Sequence, residues 1–222
     1  MKTMSDSLID ISVPLGPSLP IWPGSTGLTI ERVSSFEKGN DVNVTGLSCD
    51  VHTGTHIEAP LHFIPGGSGV TEIPLDVLIG DVLVACTADA DVITSQVLDS
   101  LPIPRRTKRL LLRTKNSGLW DDANGTFVRE YATLNREAAR WIVDRGIKLL
   151  GVDYLSVETY GDAGCPIHKT LLAGGVIIVE SLNLSGISPG MYELICLPLK
   201  LTGAEAAPAR AVLRVMKGEH NG

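Results

Sequence analysis

The chain has 222 residues, of which 44% are hydrophobic and 20% are charged, and its formal net charge is −6 at pH 7. This composition excludes a disordered chain, because disordered chains are poorer in apolar residues and richer in charge. The length suits one domain spanning residues 1–222. The sequence contains no basic run or Lys/Arg stripe, and a phosphate backbone needs a cationic surface, so we expect no nucleic-acid partner.

Residues 1–26 form a proline-rich start, with Pro14, Pro17, Pro20 and Pro23 spaced along them. Because proline fixes φ and lacks a backbone donor, we expect an extended N-terminal arm laid over a surface. This start lacks the apolar region of a secretory signal, and the apolar runs elsewhere are too short to cross a membrane. The four cysteines form no CxxC pair. These features predict a cytoplasmic protein with no membrane partner.

Runs of β-branched and apolar residues dominate the rest of the chain and predict strands. In chain order the predicted strands are Leu8–Val13, Thr29–Phe36, Val42–Val51, Asp81–Ala85, Arg109–Arg113, Lys148–Asp153, Val176–Glu180, Tyr192–Leu197 and Ala209–Val215. The clearest helix is Arg136–Arg145, with Asn135 as its N-cap and Gly146 at its end. Shorter helices are expected near Thr94–Leu101 and His168–Ala173. Many strands and few helices predict an α/β fold on a mixed, largely buried sheet.

Residues 52–63 read HTGTHIEAPLHF and contain three of the five histidines of the chain. The chemically active residues of this stretch are His52, His56, Glu58 and His62. On a helix, Glu58 would point about 200° away from His56, and Gly54 and Pro60 disfavour a helix. On a strand, ten residues would extend about 33 Å, too far for the four groups to converge. We therefore expect a strand ending near His52, a tight turn through Gly54 and a loop that folds back beyond Pro60.

Imidazole and carboxylate groups gathered at one point are suited to a divalent transition metal. Zn²⁺ fits this ligand set best, and Mn²⁺ or Fe²⁺ could also bind. The stretch is not an HExxH motif, since Thr53 occupies the position of the zincin general base, so a metalloprotease is excluded. The alternative is a histidine-rich surface loop without a metal.

A second segment, CPIHKTLLAGGVIIVES, contains His168 and, at the end of the apolar run Val176–Val179, Glu180. A carboxylate that closes a buried strand points into whatever pocket lies there. Taken alone, either residue could be structural. Beside the first cluster, both become candidates for further metal ligands. Cys165 is a weaker candidate, because a thiolate is more typical of a closed structural zinc site.

At this point the chain resembles a known family. HTGTHIEAPLHF is similar to the HxGTHxDxPxH signature of the metal-dependent cyclase/hydrolase family, which includes bacterial kynurenine formamidase (arylformamidase) and isatin hydrolase. Four further segments resemble parts of the family. The N-terminal P-x-W-P-G segment is similar to LPIWPGSTGLTIERV, and the central strand is similar to LLGVDYLSVE. The second metal segment is similar to HKTLLAGGVIIVESLNL, and the C-terminal sheet is similar to YELICLPLKLTGAEAAPARAVL. The resemblance implies a cyclase-like swivelling β/β/α domain with a barrel-like core.

The resemblance also implies individual residue roles. The implied metal ligands are His52, His56 and Glu58 in the first segment and His168 and Glu180 for a second ion. His62 takes the position of the proton donor and acceptor, and Trp22 that of an aromatic wall against the substrate, although an aromatic residue in such an arm can also simply pack on the core. The family usually has Asp where this chain has Glu58, whose side chain is longer by about 1.5 Å. This difference leaves open whether one or two ions bind.

The implied activity is metal-dependent hydrolysis of a C–N bond other than a peptide bond, with His62 as general acid and base. The resemblance favours an arylformamidase-like reaction of tryptophan catabolism, N-formylkynurenine to kynurenine and formate. Two alternatives stay open: an isatin-like lactam or lactone hydrolase, and a non-catalytic protein that binds a metal or a small ligand. The resemblance also implies a homodimer, for which exchange of the N-terminal arms would be a simple route.

Overall fold

The computed structural model describes residues 8–87, 90–121 and 124–216. Its strands are β1 (Leu8–Asp10), β2 (Thr29–Ser34), β3 (Val44–Ser48), β4 (His56–Glu58), β5 (Ile79–Cys86), β6 (Val92–Ile93), β7 (Arg109–Arg113), β8 (Thr133–Leu134), β9 (Leu149–Val152), β10 (Ile177–Glu180), β11 (Gly190–Pro198) and β12 (Ala206–Val215). Its α-helices are α1 (Leu75–Leu78), α2 (Ser95–Ser100), α3 (Arg136–Asp144) and α4 (Pro166–Ala173). Short 3₁₀ turns occupy Phe36–Lys38, Pro60–His62, Val70–Glu72 and Lys115–Trp120.

The main sheet closes into a barrel of seven strands in the order β12, β11, β5, β7, β9, β10 and β4, with β4 pairing back onto β12. The pairs β5–β7, β7–β9 and β9–β10 are parallel, and the other pairs are antiparallel. Strand β1 pairs with the part of β12 that β4 leaves uncovered. The predicted mixed sheet with a barrel-like core and few helices is therefore confirmed. Closure leaves few free strand edges, which protects the sheet from pairing with other chains.

The central strands are apolar throughout because both of their faces are buried. Alternate residues such as Val84, Leu111 and Val179 fill the barrel, and their neighbours such as Leu112 and Ile178 pack outward under the helices. A strand covered on both sides has no polar face, so its sequence is a continuous apolar run. The sequence therefore predicted these strands well.

The barrel interior is so tightly filled that one position requires glycine. A Cβ at Gly151 on β9 would lie 2.3 Å from Leu111 Cδ2 and 2.7 Å from Leu182 Cδ1. Both atoms belong to fully buried side chains. Real Cβ contacts of this length do not occur, so any larger residue would force the packing apart.

Helix α3 begins where its N-cap was predicted. The Asn135 side chain accepts a hydrogen bond from the Ala138 amide at 2.9 Å, which satisfies one of the free N–H groups of the first turn. The helix ends at Asp144, within a residue of the prediction, and Gly146 follows with a φ of 72°. Helices α2 and α4 also lie where the sequence predicted them.

The predictions for residues 29–58 were partly wrong. Strands β2 and β3 exist, but they form a two-stranded ribbon of their own with mostly exposed side chains, and they are not part of the buried sheet. The predicted strand ends at Ser48, before His52. The expected loop beyond Gly54 contains β4, which is a strand of the barrel.

The described part of the N-terminal arm packs on its own chain. Strand β1 pairs with β12, and Ile11, Val13 and Leu19 are buried. The Ile11 amide donates to the Ala211 carbonyl at 3.0 Å. Across the described ranges of the chain, no helix is both long enough and apolar enough to cross a membrane.

Candidate metal centre

Strand β4 carries two of the predicted ligands on one face. Side chains alternate across a strand, so His56 and Glu58 point out of the barrel while Ile57 points into it. On the neighbouring strand β10, Glu180 lies directly opposite His56. Because β4 is paired on both sides, by β10 and by β12, these three side chains stand on a rigid surface.

The remaining predicted residues reach this surface from three separate segments. His52 lies in the turn before β4, where Gly54 has a φ of 70° and where a Cβ would lie 2.4 Å from Leu15 Cδ2. A residue with a side chain would be strained at that turn. His62 ends the 3₁₀ turn that follows β4, and His168 lies in the first turn of α4. The structure thus brings together every histidine and glutamate that the sequence predicted.

Glu58 is the centre of the cluster. Its Oε1 lies 3.2 Å from His52 Nδ1, 3.7 Å from His56 Nε2 and 3.5 Å from His62 Nε2. Its Oε2 lies 3.6 Å from Nε2 of His168. One oxygen therefore faces three histidines, and the other faces His168 alone.

Glu180 spans the same two groups from the other side. Its Oε2 lies 3.6 Å from His56 Nε2, and its Oε1 lies 3.3 Å from His168 Nε2. Oε1 also accepts a hydrogen bond from the Val157 amide at 2.8 Å, which fixes the carboxylate. The cluster therefore divides into a first group of His52, His56 and Glu58 and a second group of Glu58, His168 and Glu180, with Glu58 in both.

The donor atoms of this cluster fit one or two divalent cations. Neighbouring ligands of one tetrahedral ion, with bonds of about 2.0–2.2 Å, lie about 3.3–3.6 Å apart, close to the separations given above. His56 Nε2 and Glu58 Oε2 are buried without a hydrogen-bond partner. Buried polar atoms are nearly always satisfied, so these two unpartnered atoms fit a site that binds a cation. His56 Nδ1 lies 2.8 Å from the Gly54 carbonyl oxygen, which leaves Nε2 free to bind it.

The charges of the cluster depend strongly on one another. Burial raises the pKa of Glu58, but the His168 charge and contacts from His52 and His56 outweigh it and hold that pKa well below its usual range. Burial lowers the pKa of His168, but Glu58, Glu158 and Glu180 outweigh it and raise that pKa well above the ordinary value. The charges of Glu58 and His168 therefore stabilise each other, and a bound cation would take the place of the imidazolium proton.

His62 differs from the other histidines. Burial lowers its pKa to about 4, and Glu58 opposes this shift only in part. Its side chain is 26% exposed and lines the cavity above the cluster. His62 is therefore neutral near pH 7 and can accept a proton from a molecule in the cavity.

The cluster forms the floor of a cavity of about 430 Å³. Trp22, Phe63 and Leu155 supply apolar walls. The Trp22 ring stands edge-on to Phe127 and Tyr160, with ring centroids 5.2 and 5.4 Å apart. The sequence left open whether Trp22 packs on the core or faces a substrate cavity. In the structure it packs on the fold and also faces the cavity.

Comparison with known proteins identifies this architecture. The model of the putative cyclase family matches residues 9–159. Kynurenine formamidase from Bacillus cereus is 36% identical over 214 residues, which cover 96% of this chain and 99% of that protein. The chain belongs to the putative cyclase family.

Solved structures of similar proteins have the same fold as this chain. A predicted metal-dependent hydrolase from Bacillus stearothermophilus has a TM-score of 0.79 and 33% identity, and the match covers 93% of this chain and 97% of that one. Isatin hydrolase A from Ralstonia solanacearum has a TM-score of 0.81 at 24% identity, covering 95% and 92%, and shares the fold. The predicted family and the predicted enzyme class, a metal-dependent hydrolase, are therefore confirmed.

Two acids of this cyclase-family site were missed at the sequence level. Glu158 Oε2 lies 2.9 Å from His168 Nδ1, and Glu205 Oε1 lies 3.4 Å from His52 Nε2. Glu158 lies six residues beyond the end of β9, whereas Glu180 is the last residue of β10, so no local signal singles out Glu158. Glu205 lies in a polar turn before β12, where nothing local distinguishes it from a surface acid.

Proposed function

We propose that this chain is an arylformamidase-like hydrolase that converts N-formylkynurenine, or a related aryl formamide, to the aryl amine and formate. The observation that carries this proposal is the carboxylate of Glu58, which lies between two groups of metal-binding side chains at the floor of a cavity walled by Trp22. The kynurenine formamidases at 36% identity support the choice of substrate.

The proposed ligands are the two groups of side chains that share Glu58. We expect Zn²⁺ there in the first place, since imidazole and carboxylate donors suit it, with Mn²⁺ as the second choice. Such an ion, when bound, lowers the pKa of a bound water to about 7 and polarises a carbonyl oxygen. The chain itself supplies a metal-binding site that is shielded from water, because Glu58 and Glu180 are almost fully buried.

His62 is proposed to transfer the proton. Its Nε2 is 3.5 Å from Glu58 Oε1, at the boundary between the cluster and the open cavity. A neutral imidazole there can take the proton of the attacking water and give it to the departing amine nitrogen, which is poor as a leaving group until it is protonated. Trp22 and Phe63 would hold the aromatic ring of the substrate.

The decisive experiment removes and restores the metal. Protein treated with a chelator should lose hydrolysis of N-formylkynurenine and formanilide and regain it with Zn²⁺ or Mn²⁺. Full activity without metal would refute the metal proposal. Hydrolysis of isatin or a simple lactone in preference to the formamides would transfer the assignment to the lactam and lactone branch. Metal binding without turnover on any of these substrates would support the non-catalytic alternative.

We further propose a cytoplasmic homodimer. The ribbon β2–β3 exposes Ile30, Val33, Val44 and Leu47, and Phe36 between its strands is also exposed. Exposed apolar side chains concentrated on one two-stranded ribbon are typical of an interface, and a second copy is the simplest partner. Light scattering should give twice the mass of the chain, and a Val33→Glu/Leu47→Glu variant should give the single mass. All four cysteines are free thiols, which supports a reducing compartment.

A further inference from the structure

Glu158 is a buried acid that the proposed reaction does not use. It is 3% exposed and lies in the cavity wall, beside the second group of ligands. Its Oε2 lies 2.9 Å from His168 Nδ1 and accepts hydrogen bonds from the amides of Ile167 and His168 at 3.1 and 3.2 Å. One carboxylate therefore binds both the start of α4 and the imidazole ring that α4 carries.

This contact determines which nitrogen of His168 faces the cluster. A carboxylate beside Nδ1 keeps the ring proton on Nδ1, so Nε2 presents its lone pair. Nε2 is the atom that faces Glu58 Oε2 and Glu180 Oε1. Without the Nδ1 contact the ring could rotate or change tautomer, and the second group would lose its only nitrogen ligand.

The first group does not depend on Glu158. His56 is oriented by the backbone carbonyl of Gly54, and the acid next to His52 is Glu205. Glu158 has hydrogen bonds to the start of α4 and to His168, and none to the histidines of the first group. A change at Glu158 should therefore affect one metal position and leave the other intact.

We propose that Glu158 is a positioning residue that holds His168 for the second metal ion and so controls the occupancy of that position alone. This inference rests on the metal centre proposed above. Carboxylates that hydrogen-bond to a metal-binding histidine typically change metal affinity by about 10–100-fold when they are removed. We expect a loss of this size for the second ion and none for the first.

The test is a Zn²⁺ titration of metal-free protein in competition with a chromophoric chelator, with metal content measured after dialysis. Wild type should bind two ions. Glu158→Ala should bind the first ion normally and the second about 10–100-fold more weakly. Glu158→Gln should lie between them, because its amide oxygen can still accept from Nδ1 but carries no charge. An affinity for the second ion that falls from wild type to Glu158→Gln to Glu158→Ala would separate the orientation of the His168 ring from the charge of residue 158. A purely structural loss would not give this order.

The matched control is Asn135→Ala, which removes the cap of another helix, α3; the Asn135 side chain bonds to Ala138 and belongs to neither ligand group nor the cavity lining. It should bind both ions like wild type, and so exclude a general effect of cap loss. Two ions bound with wild-type affinity by Glu158→Ala and Glu158→Gln would overturn the inference, as would equal weakening of both ions. A wild type that binds one ion would also overturn it while leaving a single-metal centre intact. A wild type that binds none would instead refute the proposed metal centre itself.

Discussion

Shortening Glu58 to aspartate should break the link between the two metal groups. The change withdraws the carboxylate by one C–C bond, about 1.5 Å. Its oxygens now lie 3.2–3.7 Å from four histidine nitrogens. After the change several of these separations would approach about 5 Å, beyond the spacing of ligands that share one ion.

The backbone cannot follow the shortened side chain. Glu58 is in register with Ile178 of β10 on one side and with Ala206 of β12 on the other. A shift of β4 toward the histidines would break both ladders of the closed barrel. We therefore expect Glu58→Asp to bind at most one ion tightly, with the affinity for the second reduced at least about tenfold, which equals about 1.4 kcal/mol.

The assay is the same competition titration, compared with Glu137→Asp as a matched control. Glu137 undergoes the same shortening in the exposed first turn of α3, outside the cavity lining and outside both proposed ligand groups. It should retain wild-type stoichiometry. Two ions bound by Glu58→Asp with unchanged affinity would refute the reasoning, because either β4 is free to move or Glu58 does not join the two groups.

Three further predictions concern His62 and the barrel. His62→Ala should lower kcat at least about 100-fold while metal content stays unchanged, because general acid–base catalysis is worth about that much; equal loss of metal would make His62 a ligand. In metal-free protein, the folded pKa of His62 is about 4 against about 6.5 unfolded. The unfolded state therefore binds the extra proton as pH falls from 6.5 towards 4, and stability falls with it. Urea melts at pH 7 and pH 5 should show a larger loss for wild type than for His62→Asn, and identical losses would contradict this. Gly151→Ala should destabilise the fold by about 1–3 kcal/mol through overpacking, whereas Gly118→Ala, with nothing within 4 Å of its Cβ, should not; equal urea midpoints for the two variants would contradict the packing argument.

The sequence predicted the barrel strands and helix α3 because their signals are local. Strands β5, β7, β9 and β10 are apolar runs, and α3 has a cap and an apolar face. Strand β4 was missed because it has only three residues, two of which are chemically active, so it looked like a polar loop. Its strand geometry comes from β10 and β12, which lie far along the chain.

The candidate site was predicted to the extent that its residues lie in motifs. His52, His56, Glu58 and His62 belong to one stretch. His168 and Glu180 were candidates from their own segment, where a carboxylate closes an apolar run, and the resemblance assigned them to a second ion. Glu158 was missed because its importance arises from the docking of α4 against it, which no spacing along the chain encodes. The same holds for Glu205, which approaches His52 only when β12 pairs with β4.

The double pairing of β4 also has a consequence for biogenesis. Strand β4 lies in the first third of the chain, but its partners are β10, which ends at Glu180, and β12, which begins at Ala206. Such distant pairings form late in folding, because the intervening chain must first be ordered. A ribosome-bound chain that stops before residue 206 cannot complete the rigid surface that holds His56 and Glu58. Metal should therefore bind only after the chain beyond residue 206 has folded onto β4, so that it stabilises a completed barrel and does not nucleate folding.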